Sequence, residues 1–140
     1  QFNISWRQRT SQKTCPMIEF DSVIDIHETL IKQFGGKNGI RDKNLLISAI
    51  SRPSSGTKDQ EFYPSPPQKA AAIIESIVKN HPFIDGNKRT GYVLMRIILL
   101  EFGFDIKANQ DEKYDFVIKI ASGQLEYEDI YSWILNHLTK

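Results

Sequence analysis

The sequence predicts an all-α fold, a compact bundle of helices, on three observations. Apolar residues recur at helical spacing in six successive segments, glycines and prolines punctuate those segments, and no stretch shows strong strand alternation. MIEF (17–20) and EFY (61–63) leave room for a minor β-hairpin and nothing larger.

The first helix is carried by DSVIDIHETLIKQFGG. Val23, Ile26, Leu30 and Phe34 share one face, Asp21 or Ser22 is available as N-cap, and Gly35 and Gly36 end it in a left-handed conformation. RDKNLLISAISRP forms the second, with Leu45, Leu46, Ala49 and Ile50 on one face and Pro53 as its stop. SSGTKDQEFYPSPP is then a loop or short hairpin. In the third helix Ser65 and Pro66 supply the cap and first turn, and Ala70, Ile73, Ile74, Ile77 and Val78 form a buried stripe. It ends near Asn80, because His81 precedes a proline and is pushed out of the helical region. A fourth helix starts at about Asn87 and carries the period through Val93, Leu94, Ile97, Ile98 and Phe102 to Gly103. QDEKYDFVIKIASG and LEYEDIYSWILNHL make the last two, separated at Gly123.

A chain of 140 residues is the size of one domain with one core. Eighteen basic against seventeen acidic residues give a net charge of +1, so no global field draws the protein to nucleic acid or an anionic membrane, and a partner has to be recognised locally. Its one cysteine, Cys15, excludes an internal disulfide and any multi-cysteine zinc cluster; it reads as a structural or surface thiol in a reducing compartment. No apolar run approaches the roughly 20 residues that span a bilayer, and the N-terminus has no secretory pattern, so the expected location is cytoplasmic. Gln1 in place of Met suggests a processed or excised piece of something longer. Residues 1–16 read as a linker or the tail of an upstream segment, or as an arm packed on the domain by Phe2, Ile4 and Trp6, with the domain itself at 17–140.

Between the third and fourth helices lies NHPFIDGNKRTG (80–91), a histidine, an acid, an amide, two cations and two glycines in twelve positions. The first amides of a helix lack intrahelical acceptors and carry the positive end of its dipole, so Gly86, Asn87, Lys88 and Arg89 can direct N–H groups at an anion. Gly86 lets a phosphate approach closely, while Lys88 and Arg89 add charge and a bidentate fork. Asp85 beside this cationic cluster calls for a cation of its own, and Mg²⁺ bridging phosphates takes only one or two protein carboxylates. His81, with an ordinary pKa of about 6.5, suits a general base that deprotonates a hydroxyl. Taken singly these residues have duller readings: a hydrogen-bonded histidine at a helix end, surface cations, and Phe83 and Ile84 as loop anchors. Other motifs fit less well. GGKNG is not followed by the Ser or Thr of a P-loop, and His27 with Glu28 lacks the second histidine of a metalloprotease helix, which leaves His27 and His137 as structural or surface residues.

HPFIDGNKRT resembles the signature of the Fic/Doc (Fido) superfamily, whose Fic branch reads H-x-F-x-[D/E]-G-N-G-R-x-x-R and whose Doc branch reads H-x-F-x-D-[A/G]-N-K-R-T. The likeness extends to IHETLIKQFGGKNGIRDKNLLISAISRP and ASGQLEYEDIYSWI, so it covers residues 17–140. It implies an all-α enzyme that transfers part of a nucleotide to a hydroxyl of a target protein, with ATP as co-substrate and Mg²⁺ as cofactor. By that resemblance His81 is the base, Asp85 the Mg²⁺ ligand, Asn87 a phosphate contact, Arg89 a clamp on the phosphates and Phe83 the core anchor. Thr57 to Tyr63 falls where the family places a flap that aligns the target chain.

Two departures from the Fic branch stand out: Lys88 replaces its second glycine and Tyr92 its second arginine, so the Doc branch is the better match. Doc-type toxins hold ATP so that the terminal phosphate goes to a threonine of elongation factor Tu, and an antitoxin silences them. The resemblance therefore implies phosphoryl transfer to a Ser or Thr, possession of an antitoxin partner or an upstream regulatory domain, and a place in a toxin–antitoxin pair. AMP transfer and catalytically silent nucleotide binding are the alternatives. Ser122 to Glu126 is near the inhibitory pattern of some Fic proteins, but Tyr127 follows it and the match is read as coincidence.

Overall fold

The computed structural model describes residues 18–140, so the expectations for residues 1–16 and for Cys15 lie outside the described residues. Helix α1 spans Phe20–Phe34, α2 Lys43–Ser51, α3 Pro66–Asn80, α4 Asn87–Glu101, α5 Gln110–Ala121 and α6 Tyr127–Asn136. A 3₁₀ turn, Arg52–Ser54, extends α2, with Pro53 buried inside it. Two short strands, β1 (Asp105–Ile106) and β2 (Leu138–Thr139), pair antiparallel with Asp105 opposite Thr139 and Ile106 opposite Leu138. The all-α class stands, and no helix among the described residues is long and apolar enough to cross a membrane.

Helix α3 is the axis of the bundle. Its start is fixed by a reciprocal cap, in which the Ser65 hydroxyl accepts from the Gln68 amide and the Gln68 side chain accepts from the Ser65 amide, with Pro66 in the first turn. Ala70, Ala71, Ala72, Ile73, Ile74, Ile77 and Val78 are wholly inaccessible, so the helix is apolar on nearly every side and is enclosed accordingly. It packs along α4 and also meets α2, α5 and α6. The two helices come close at Gly91, where an added Cβ would come within 2.8 Å of Val78 Cγ2.

Helix α1 begins before the expected caps: Glu19 is the N-cap, without a side-chain bond, and Phe20 is already helical. Phe20 packs against the core, and that burial draws the first turn back past Asp21 and Ser22. For the same reason MIEF is not a strand; Met17 lies outside the described residues, and Ile18 to Phe20 lead into the helix. The 56–61 segment does fold back on itself through one Gly56 and Glu61 bridge, closed by a turn in which the Thr57 amide donates to the Gln60 carbonyl at 2.7 Å.

Candidate active site

Helix α3 stops at His81, whose backbone turns left-handed at φ 51 and ψ 58. The sequence predicts that His81 leaves the helical region before Pro82, and it does so as a left-handed cap, the one non-glycine residue with positive φ among the described residues. Such a conformation persists only where neighbours enforce it. Arg41 does so, donating from Nε to the His81 carbonyl at 2.6 Å and from Nη2 to the Asn80 carbonyl at 2.8 Å. The adjoining segment runs alongside the loop: the Arg41 and Asp42 amides donate to Pro82 O, the Ile84 amide donates to Gly39 O, and Ile40 bridges Phe83. The His81 side chain is exposed and makes no hydrogen bond among the described residues.

Two buried side chains hold the centre of the loop. Asn87 donates from Nδ2 to the Phe83 carbonyl and accepts the Phe83 amide at Oδ1, both at 3.0 Å. Its amide is thus committed to the loop, and what it offers an anion is its backbone N–H. Phe83 is 1% exposed, as an anchor should be, and lies against the ring of His27. His27 Nε2 is 2.7 Å from the Asp85 carbonyl; a carbonyl only accepts, so that nitrogen carries the proton. His27 is structural, as expected, but it supports the motif directly.

Asp85 is exposed, and its carboxylate accepts the Gly86 amide at Oδ1 (2.9 Å) and the Lys37 amide at Oδ2 (3.2 Å). Gly36 makes this possible: its φ is 114, and a Cβ there would stand 2.8 Å from Asp85 Oδ2. Gly86 itself caps α4 in a left-handed conformation with its N–H turned to Asp85, so the anion seat differs from the expected one. The first bond inside α4 runs from Thr90 N–H to Gly86 O, so the amides of Asn87, Lys88 and Arg89 are the ones the helix leaves unmatched. Lys88 and Arg89 are exposed, and the Arg89 guanidinium is poised 4.2 Å above the Phe34 ring.

This helix start opens into a cleft of about 430 Å³ between α4 and α5, lined by Asp85 to Arg89, Tyr92 and Val93 on one side and by Gln110, Lys113, Tyr114, Val117 and Ile118 on the other. Its size falls within the range of ligand pockets. His81 is not part of the lining. Tyr92, where the Fic pattern has arginine, keeps its hydroxyl buried without a hydrogen-bond partner among the described residues, and burial pushes its pKa up to about 12.

No group of three or more His, Cys, Asp or Glu side chains that could hold a metal occurs among the described residues. Asp85 alone fits Mg²⁺ that is bound chiefly by water and ligand phosphates, since two accepted N–H bonds leave carboxylate lone pairs facing solvent. Elsewhere, Glu126 pairs with Lys79 at 3.2 Å and caps α6, and Ser122 caps α5. The 57–63 turn is tethered through Glu61 to Lys69 at 2.9 Å, in the first turns of α3. Arg41, His27 and the α5 wall carry no local signature; only the fold brings them to the motif.

The Fic/DOC family model matches residues 17–99. A Toxin Doc of Mycolicibacterium smegmatis is 32% identical over 99 residues, which are 69% of this chain and 76% of that protein. A Fido domain-containing protein of Dictyostelium discoideum is 42% identical over 52 residues, 34% of this chain and 36% of that protein.

Proposed function

Because the chain belongs to the Fic/DOC family, we propose that residues 17–140 form a Doc-like transferase that moves the terminal phosphoryl group of Mg-ATP to a Ser or Thr hydroxyl of a target protein. The observation that carries this reading is one loop: an unbonded histidine on the end of α3 and, six residues on, a helix start with open amides and two cations. Phosphoryl transfer asks the protein mostly for position and charge, and this loop offers both.

In this reading Asn87, Lys88 and Arg89 present backbone amides to the phosphates, and the Lys88 and Arg89 side chains neutralise them, while Gly86 supplies the left-handed cap from which those amides start. Asp85 would hold Mg²⁺, which supplies charge neutralisation on the phosphate oxygens. The apolar wall of Val93, Tyr114, Val117 and Ile118 suits a nucleobase. His81 takes the proton of the target hydroxyl as its oxygen bonds to the γ-phosphorus; the bond from that phosphorus to the β–γ bridging oxygen breaks, and ADP leaves. Lys88 fills the place of the Fic glycine and Tyr92 that of the distal arginine, and both changes favour the γ-phosphorus over the α-phosphorus beside His81. We further take the protein to be a toxin, as the relative named Toxin Doc suggests, and, on the resemblance to the Doc branch, the cytoplasmic member of a toxin–antitoxin pair acting on a translation factor. The 57–63 turn is the proposed aligner of the target chain, although its tether to Lys69 lies twelve residues before His81, about 18 Å along the helix.

Incubation with ATP and Mg²⁺ in a cell lysate, followed by intact mass measurement of the modified protein, tests the reading. A gain of about 80 Da on a Ser or Thr is one phosphoryl group. A gain of about 329 Da would be AMP and would put the α-phosphorus at His81 instead. Nucleotide binding with no modification would make the chain a silent binding domain.

A further inference from the structure

The cleft carries more positive charge than the motif accounts for. Its charged lining is Asp85, Lys88, Arg89 and Lys113, three cations and one acid, or +2 from a chain whose total is +1. Lys113 comes from α5, beyond the residues that the family model matches. Its ammonium lies 6.0 Å from the centre of the Tyr92 ring. The acid that feels its field is Asp105, and that carboxylate is already bound through both oxygens by Arg96, at 2.8 and 2.7 Å. Lys113 has no ion pair among the described residues, whereas Lys119, on the same helix, is paired with Asp115 at 3.0 Å. The Tyr92 ring lines the same cleft, beside the Lys113 ammonium.

Lys88 and Tyr92 are four residues apart on α4 and so share a face, about one helical turn of 5.4 Å from one to the other. Lys113, beside the Tyr92 ring, therefore stands roughly a turn along α4 from the phosphate seat. A single phosphate does not span that interval; a chain of linked phosphates does. Resting on the nucleotide reading above, we propose that Lys113 is a second phosphate-binding cation, contributed by α5 in place of the distal arginine that Tyr92 replaces, and that it selects nucleoside triphosphate over monophosphate.

Calorimetric binding of ATP and of AMP, each with Mg²⁺, decides the matter across wild type, Lys113→Met, Lys113→Arg, Lys119→Met and Arg89→Ala. The Met variant keeps the length of a half-exposed side chain, and an unchanged melting profile confirms its fold. Lys113→Met should lose about tenfold or more in ATP affinity, the effect of one charged hydrogen bond, and less for AMP. Lys113→Arg and Lys119→Met should bind ATP like wild type. An equal loss in Lys119→Met would reduce the effect to bulk charge and overturn the proposal. ATP binding within twofold of wild type in Lys113→Met, with Arg89→Ala impaired, would also overturn it and leave the nucleotide reading standing; absence of ATP binding in the wild type would overturn both.

Discussion

The rings of His27 and Phe83 lie face to face, 3.8 Å between centres and 5° from parallel, with His27 Nε2 donating to the Asp85 carbonyl. A helix 58 residues upstream thus fixes both the anchor of the loop and the backbone of the acid. His27→Phe would keep the stack and lose the donor. We expect it to fold, to lose ~1–3 kcal/mol of stability for the unmatched carbonyl, and to lower ATP turnover; urea denaturation and a turnover assay check the two halves.

His81→Ala should leave the fold and nucleotide affinity near wild type, because the ring is exposed and bonds nothing among the described residues. Turnover should fall by ~10² to 10⁴, the usual share of general acid–base catalysis. Full activity in a folded variant would remove its role as base.

Arg89→Ala should weaken ATP binding by ~1.5–3 kcal/mol, the range for a charged hydrogen bond. Phe34→Ala, which removes only the ring beneath the guanidinium, should cost a smaller ~0.5–1 kcal/mol. Calorimetry that ranks the two in the opposite order would show that the stack, and not the charge, matters to the ligand.

Mg²⁺ alone should bind too weakly for calorimetry, since Asp85 is its single proposed carboxylate, and should bind readily once ATP is present. Asp85→Asn should abolish that metal enhancement while preserving the cap on Gly86, because the amide oxygen still accepts. Strong Mg²⁺ binding without nucleotide would point to a different site.

The Arg96 pair holds the Asp105 carboxyl below its ordinary value of 3.8. A lowered folded pKa means stability that is present above that ordinary value and lost as pH falls through the folded one. Melting temperature should therefore drop below about pH 4, and Asp105→Asn should flatten the drop. The pair is partly exposed, so the effect should also shrink with salt.

Much of the fold was legible because each helix states its own boundaries: Ser65 and Pro66 start α3, Gly35 ends α1, and Gly123 parts α5 from α6. The motif was legible for the same reason, as base, acid and cations lie within nine residues. What escaped was non-local. The β1 and β2 strands are two residues each and stand far apart in the chain, so neither has an alternation to detect. Asn87 reads as a ligand contact by type, yet its side chain closes a ring with Phe83, a use that only the loop's path reveals. Lys113 and His27 have no spacing relation to the motif at all.

The close approach at Gly91 carries a consequence for how such enzymes diverge. His81 hangs from α3, while Lys88 and Arg89 hang from α4, so the gap between those two helices is a caliper that sets the reach from the histidine to the cations. That gap is held by a residue with no side chain against Val78. A methyl at 91 would spread the jaws without altering one letter from His81 to Thr90. Two proteins with identical letters from His81 to Thr90 can then hold that histidine at different distances from the two cations, so the geometry of the loop is partly written one residue outside the signature.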